Sequence, residues 1–127
     1  MIAGLISPTK TYQEWVPTFT GFSVDPTVTV ARYIQIGKLC HCYLISGNGT
    51  SNATTFTLTL PVAAANTGIA KCSGGSAVDN GAALTTMPRV DTVVNSNVAN
   101  IRSSPAAGAW TAANAKRVEF SITYETV

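Results

Sequence analysis

Apolar and polar residues alternate along much of this chain, and a period of two predicts strands rather than helices. In "ATTFTLTLPV" (53–62) large apolar residues alternate with threonines, the apolar ones being Phe56, Leu58 and Leu60. The final segment "KRVEFSITYETV" (116–127) repeats the alternation through Val118, Phe120, Ile122 and Tyr124. Both segments are typical of half-buried strands, with one face in a core and the other in water.

The remaining pattern predicts an all-β domain. "TVTVARYIQIGKLCHCYLIS" (27–46) is a long extended stretch, which we expect to form two strands broken or bulged at Gly37. "SGNGTSN" (46–52) is dense in turn formers, so the strand before it and the threonine-rich strand after it are predicted to pair as a hairpin. Residues 62–115 are rich in Ala, Gly, Ser and Asn, and they predict short strands joined by loops. We therefore expect one antiparallel β-sandwich over residues 12–127.

The only histidine lies between two cysteines, in the order Cys40, His41, Cys42. With a straight register both cysteines share a face with Ile34, Ile36 and Leu44, and His41 lies on the opposite face. One metal ion cannot be held from both faces of a strand, and structural zinc takes four ligands, for which only the distant Cys72 remains. A Cys40–Cys42 disulfide is disfavoured because the two Cβ vectors run parallel. The interpretation is that the thiols pack in the core, with no metal site.

Composition narrows the class of partner. Charged residues make up 11% of the chain and the net charge is +2, with no cluster of Lys or Arg suited to a nucleic acid. A surface built from Thr, Ser, Asn and Ala can be buried against other subunits, which favours an oligomer or an assembled particle. The apolar start "MIAGLISPTK" is too short for a signal peptide or a membrane span. Residues 1–11 are interpreted as an attachment arm, with a frayed terminus as the alternative.

The sequence offers few side chains that could form a catalytic arrangement. A Ser-His-Asp arrangement would have to use His41, and no G-x-S-x-G turn is present. The loop-rich middle contains one pair of carboxylates, Asp79 and Asp91, which solvated turns explain more simply than a glycosidase pair. We expect a protein that is not an enzyme and takes no cofactor.

Three segments in order suggest a family. They are "YQEWVPTFTGFS", "ARYIQIGKLCHCYLISGNGTSNATTFTLTLPVAAA" and "AWTAANAKRVEFSITYET". Together they resemble the C-terminal domains of bacteriophage tail fibres and receptor-binding proteins, over about Tyr12 to Pro61 and Ala109 to Val127. The resemblance implies a homotrimeric, jelly-roll-like sandwich that binds a carbohydrate or another host-surface receptor. Residues 62–108 have no counterpart in it, and in such domains the variable part is where recognition is expected.

Candidate binding residues follow from that expectation. A sugar site needs an aromatic platform and a few hydrogen-bonding groups on supported loops. The candidates are Asp79, Asn80, Arg89, Asp91 and Trp110. For Trp110 the alternative is packing under the final strand. Trp15 and Tyr33 are assigned to core or subunit contacts, and Tyr33 and Tyr43, expected on the face of His41, are candidates for the trimer interface.

The sequence is compatible with two hypotheses of function. The first is a tail-fibre-tip-like virion component, made in the bacterial host cytoplasm, that binds a host receptor. The second is a purely structural virion protein, such as a capsid decoration or head-fibre protein. In either case the arm would dock the domain to other virion proteins, and neither nucleic-acid binding nor membrane insertion is expected.

Overall fold

The computed structural model describes residues 11–66, 70–71 and 74–127, and these form an all-β fold of antiparallel sheets with no helix among them. No helix in these ranges could therefore cross a membrane. The strands are β1 (Gln13–Glu14), β2 (Phe19–Thr20), β3 (Phe22–Val24), β4 (Val28–Ile36), β5 (Leu39–Ser46), β6 (Gly49–Ser51), β7 (Phe56–Ala64), β8 (Ala70–Lys71), β9 (Gly75–Asp79), β10 (Ala82–Ala83), β11 (Arg89–Thr92), β12 (Ser96–Arg102) and β13 (Ala115–Glu125). The predicted arm lies outside the described residues except for Thr11.

The strands form two sheets. The large sheet runs in the order β1-β4-β5-β13-β6-β3, with β9 also paired to β13 and β10 paired to β9. The small sheet runs in the order β2-β7-β12-β11-β8. Strand β13 is the hub of the large sheet, because it pairs with β5, β6 and β9.

Side chains from both sheets meet in one core, an arrangement consistent with a β-sandwich. The large sheet contributes alternate residues of β5 and β13, and the small sheet contributes alternate residues of β7, β11 and β12. The predicted inward faces of β7 and β13 are confirmed, since Phe56, Leu58, Leu60, Val118, Phe120, Ile122 and Tyr124 are all buried. The hydroxyl of Tyr124 crosses between the sheets and donates to the carbonyl of Val62 at 2.8 Å.

The stretch 27–46 forms two strands, β4 and β5, broken at Gly37 as expected, and the break is a tight hairpin turn rather than a bulge. Ile36 pairs with Leu39, so Gly37 and Lys38 form a two-residue turn. Gly37 has a φ of 58°, which suits the first central position of such a turn. The turn reverses the parity assumed from a straight register: Ile34 pairs with His41 and lies on its face with Ile36, not with the cysteines. Cys40 and Cys42 are fully buried free thiols, as the packing interpretation predicted.

The predicted pairing across "SGNGTSN" is wrong. Strand β5 belongs to the large sheet and β7 to the small sheet, so the chain crosses between sheets there and forms β6 on the way. Cys42 and Leu58 thus belong to the same core from opposite sheets rather than from neighbouring strands. The neighbours of β5 are β4 and β13.

Candidate functional site

The predicted binding residues fall into two separate groups. Asp79, Asn80 and Trp110 lie near the end of β9 and the chain leading into β13. Arg89 and Asp91 lie on β11 in the small sheet. The structure adds three residues that sequence reasoning missed: Thr111 and Lys116 beside Asp79, and Arg102 beside Asp91.

The first group centres on a buried ion pair. Lys116 is completely buried, and its Nζ lies 2.6 Å from Oδ1 of Asp79. Thr111 also donates to Asp79, from its hydroxyl at 2.8 Å and from its backbone N–H at 3.1 Å. The ammonium of Lys116 donates further to the Thr111 hydroxyl at 3.1 Å. We call Asp79, Thr111 and Lys116 the lysine clasp, because they tie the end of β9 to the start of β13.

The ionisation of Asp79 follows from these contacts. Burial alone would raise the pKa of Asp79, but hydrogen bonds from Lys116 and Thr111, together with the Lys116 charge, outweigh it and lower the pKa. The carboxylate is thus kept ionised and already accepts several internal hydrogen bonds. It acts as a structural tie in this arrangement.

Asn80 and Asn114 form a bridge beside the clasp. Nδ2 of Asn114 donates to Oδ1 of Asn80 at 2.5 Å, and both side chains are exposed. Both residues have positive φ, 52° and 65°, a conformation that asparagine tolerates better than most residues. The amide of Asn80 therefore joins two turns.

Trp110 packs in the interior. Its ring is 2% exposed, and its Nε1 donates to the carbonyl of Ile101 at 2.9 Å. The ring centroid lies 4.9 Å from that of Phe56, and Nζ of Lys116 lies 5.9 Å from the centroid of the indole. The packing alternative thus accounts for Trp110, and almost no indole surface remains for stacking on a ligand.

The second group is on the outer face of the small sheet. Val90 and Ile101 are buried, so their strand neighbours Arg89, Asp91 and Arg102 point away from the core. Nε of Arg89 lies 2.6 Å from Oδ1 of Asp91, and Nε of Arg102 lies 3.3 Å from Oδ2. Nη1 of Arg89 donates to the carbonyl of Pro105 at 3.1 Å. We call Arg89 and Arg102 the arginine pair; Asp91 is the carboxylate that they share.

Polar side chains continue across this face. Asp91 pairs with Asn100, Asn100 pairs with Thr57, and Thr57 pairs with Thr20. The hydroxyls of Thr20 and Thr57 are 2.6 Å apart. Because directly paired residues point to the same side, the row forms one continuous polar strip on the outer face of the small sheet.

The outer face of the large sheet has a different character. It carries His41 among apolar and aromatic side chains, and we call this the apolar face: Tyr12, Ile34, Ile36, Leu39, Tyr43 and Ile45. Tyr12 packs edge-on against Tyr43 with ring centroids 5.5 Å apart, and Leu39 is 51% exposed. Nδ1 of His41 lies 2.9 Å from the hydroxyl oxygen of Thr123.

The two predicted interface residues, Tyr33 and Tyr43, lie on opposite faces of the large sheet. Tyr43 lies on the face of His41 as expected, but Tyr33 pairs with Cys42 and lies on the inner side. Tyr33 and Trp15 pack against the core and against each other, with centroids 6.4 Å apart. The core alternative fits both residues.

Comparison of the chain with protein families, with curated proteins and with solved structures found no match. Within residues 11–66, 70–71 and 74–127, no three His, Cys, Asp or Glu side chains are grouped so that they could hold a metal ion.

Proposed function

We propose that this protein is a bacteriophage virion component, similar to a tail-fibre tip, that binds a host-cell surface receptor of carbohydrate type. The observation that supports it is the contrast between the two outer faces. One face is apolar and aromatic, as an assembly interface would be. The other holds fixed hydrogen-bonding groups, as a sugar-binding surface would.

The polar face is the proposed receptor site. Its residues Arg89, Asp91, Asn100 and Arg102 belong to segment 62–108, where the resemblance places recognition. The side chains of Arg89, Asp91 and Arg102 contact one another, so little conformational entropy is lost when they bind a ligand. Asp79, Asn80 and Trp110 are left out of the proposed site, because Trp110 is buried and the two others lie at the end of β9, away from the outer face of the small sheet.

The apolar face is proposed to pack against further copies of this chain in a trimer. Charges of both signs lie on this side of the sheet as well: Arg32 is paired with Tyr43, Glu119 with Ile45 and Glu125 with Leu39. Glu14 and Arg117 are further charged residues of the large sheet. Three carboxylates would oppose an anionic lipid or a nucleic acid, whereas a second copy offers arginines to pair with them. A jelly-roll-like arrangement is part of the same proposal, supported by a chain that passes repeatedly between the two sheets. Location in the virion, and docking through residues 1–11, rest on the resemblance.

The test is attachment. The protein, displayed in several copies on beads to raise avidity, is offered to a glycan array and to a panel of bacterial cells. We expect attachment by the parent, loss with Asp91→Ala, and no loss with the control Asp25→Ala, an exposed aspartate between β3 and β4. Folding of each variant is checked by thermal melting. Attachment that survives in folded Asp91→Ala contradicts the proposed site.

A second candidate function is a structural virion protein that binds no receptor. The extent of the apolar face favours it, because an assembly surface alone would explain that face. The two candidates differ in outcome: a parent protein that assembles with itself but attaches to no glycan and no cell supports the structural role and overturns receptor binding.

A further inference from the structure

We infer that the arginine pair recognises an acidic group, a carboxylate or a phosphate, on the receptor saccharide. This inference rests on the proposed function, and it names the chemistry of the ligand. A neutral sugar needs only hydroxyl partners, and the strip of Asp91, Asn100 and Thr57 would supply them. Two guanidinium groups beside that strip call for a further explanation.

The geometry leaves the ends of both arginines available. A guanidinium has five N–H donors. Arg102 uses Nε on Asp91, and the described contacts give its two terminal nitrogens no partner. Arg89 uses Nε on Asp91 and Nη1 on the Pro105 carbonyl, so its Nη2 has no partner in the described part of the chain either. The free donors are the fork ends that match carboxylate and phosphate oxygens.

The local charge favours an anion. Two guanidiniums share one carboxylate, which leaves one positive charge that the described contacts do not neutralise. Asp91 holds both side chains in place, since their side chains are only 24% and 33% exposed and both contact its oxygens. An arriving anion would thus meet donors that are already oriented, with Asn100 directly across from Asp91 to take a neighbouring hydroxyl.

A purely internal role for the pair makes a different prediction. If Arg89 and Arg102 only join β11 to β12 and to the Pro105 turn, their replacement lowers stability without changing which ligands bind. Ligand selectivity, rather than affinity alone, is therefore the readout.

The experiment compares matched ligands. Oligosaccharides containing a uronate, their methyl esters, a sialylated oligosaccharide and a glycerol-phosphate polymer are each titrated against the protein by calorimetry and on an array. The ester removes the charge and keeps the sugar. We expect the acid to bind about tenfold or more tighter than its ester, the difference that a hydrogen bond to a charged group makes. The phosphate polymer and the two carboxylate sugars show which acidic source is preferred.

Variants assign that preference to the arginines. We expect Arg102→Gln and Arg89→Gln to lose the preference for the acid, and Arg102→Lys, which keeps the charge without the fork, to lose part of it. The control is Lys38→Gln, an exposed lysine in the turn between β4 and β5, because it makes the same change in net charge. Thermal melting checks that each variant is folded. If the glutamine variants do not fold, Arg102→Lys is the variant that tests the inference.

The outcomes separate the inference from the proposed function. Equal binding of acid and ester by the parent, or an acid preference that persists in folded Arg102→Gln, overturns the inference and leaves receptor binding intact. A parent that binds no saccharide and no cell overturns both.

Discussion

Lys116 shows how a single residue can depart from its usual role. Lysine is rarely fully buried unless it is paired, and here Asp79 and Thr111 supply the partners. Removing one member of a buried pair costs about 3–5 kcal/mol, because the other charge is left without compensation. We therefore expect Asp79→Ala to lower the free energy of unfolding by an amount in that range, measured by urea denaturation.

The pair is tested by a double-mutant cycle with Lys116→Met. We expect Asp79→Ala and Lys116→Met together to cost less than the sum of the two single changes, by about 0.5–3 kcal/mol. Lys38→Met, in the exposed turn between β4 and β5, is the control and should change stability by less than about 0.5 kcal/mol. Additive losses would mean that the two side chains do not interact.

The pH dependence of the free energy of unfolding gives a second test of the ion pair between Asp79 and Lys116. The pKa of Asp79 is lowered on folding, so the folded state binds fewer protons and the stabilisation is complete above the unfolded carboxyl pKa of about 3.9. It is lost as the pH falls through the lower, folded value. The stability gap between the parent and Asp79→Ala should therefore narrow below about pH 4. A gap that is constant through the acid range contradicts this assignment.

The thiols of Cys40 and Cys42 should be inert in the folded protein. Burial raises the pKa of both, and at Cys40 a hydrogen bond with Tyr124 offsets only part of the effect. In a Cys72→Ser background, we expect no reaction with a disulfide reagent at neutral pH until denaturant is added. Replacing Cys40 and Cys42 with Val should cost less than about 1.5 kcal/mol and leave metal content unchanged. Stoichiometric zinc that disappears in the valine variant would contradict a packing role.

At the scale of elements, β9 depends on a glycine at its first residue. Gly75 has a φ of 134°, and a Cβ there would overlap the carbonyl oxygen of Glu119 on β13. Gly81 has a φ of 77°, with open space around it. We expect Gly81→Ala to cost about 1–2 kcal/mol from backbone conformation alone, and Gly75→Ala to cost more. Thermal melting of the two variants compares them, and equal losses would mean that the approach to β13 is not tight.

Alternation predicted the strands well but not their partners. The inward residues of β7 and β13 follow from a period of two, which is a local property. Turn formers at 46–52 do not distinguish a hairpin from a crossing between sheets, because both need the chain to change direction. That choice is made by contacts such as Cys42 with Ile122, far apart in the sequence. Pairing was therefore the part that local patterns could not supply.

The residues of the candidate site likewise include some that local sequence patterns predict and others that they miss. The sequence predicts Arg89 and Asp91 as exposed polar residues of a loop-rich segment, and both lie on the outer face of the small sheet, on β11. Lys116 was missed because a lysine normally predicts exposure, yet it occupies the inward parity of Val118 and Phe120. Extending the alternation of β13 backwards by one step would have found it. Nothing local could have found its partner Asp79, which is 37 positions away.

For the whole molecule, the apolar face predicts self-association. We expect light scattering to give three times the 13.2 kDa mass of the chain. Leu39→Glu, which places a charge in the apolar face, should reduce the trimer to monomer. Val98→Glu is the matched control, because Val98 is also an exposed apolar residue but lies on the outer side of β12.

Two results would contradict this assignment. A parent protein that weighs 13.2 kDa in dilute solution has no stable trimer. A trimer that survives Leu39→Glu but is lost with Val98→Glu is built on the small sheet instead, over the surface proposed for the receptor.

The pairing of β13 with three other strands has a consequence for how the chain reaches its native state. Until β13 docks, the edges of β5, β6 and β9 are all open, and open edges are templates for pairing with other molecules. The hydrogen bond between Thr123 on β13 and His41 on β5 joins residues that are 82 positions apart in the sequence. Closing so long a loop is slow compared with forming a local hairpin. Refolding is therefore a competition between one late intramolecular docking step and aggregation, and its yield should fall steeply as the protein concentration rises.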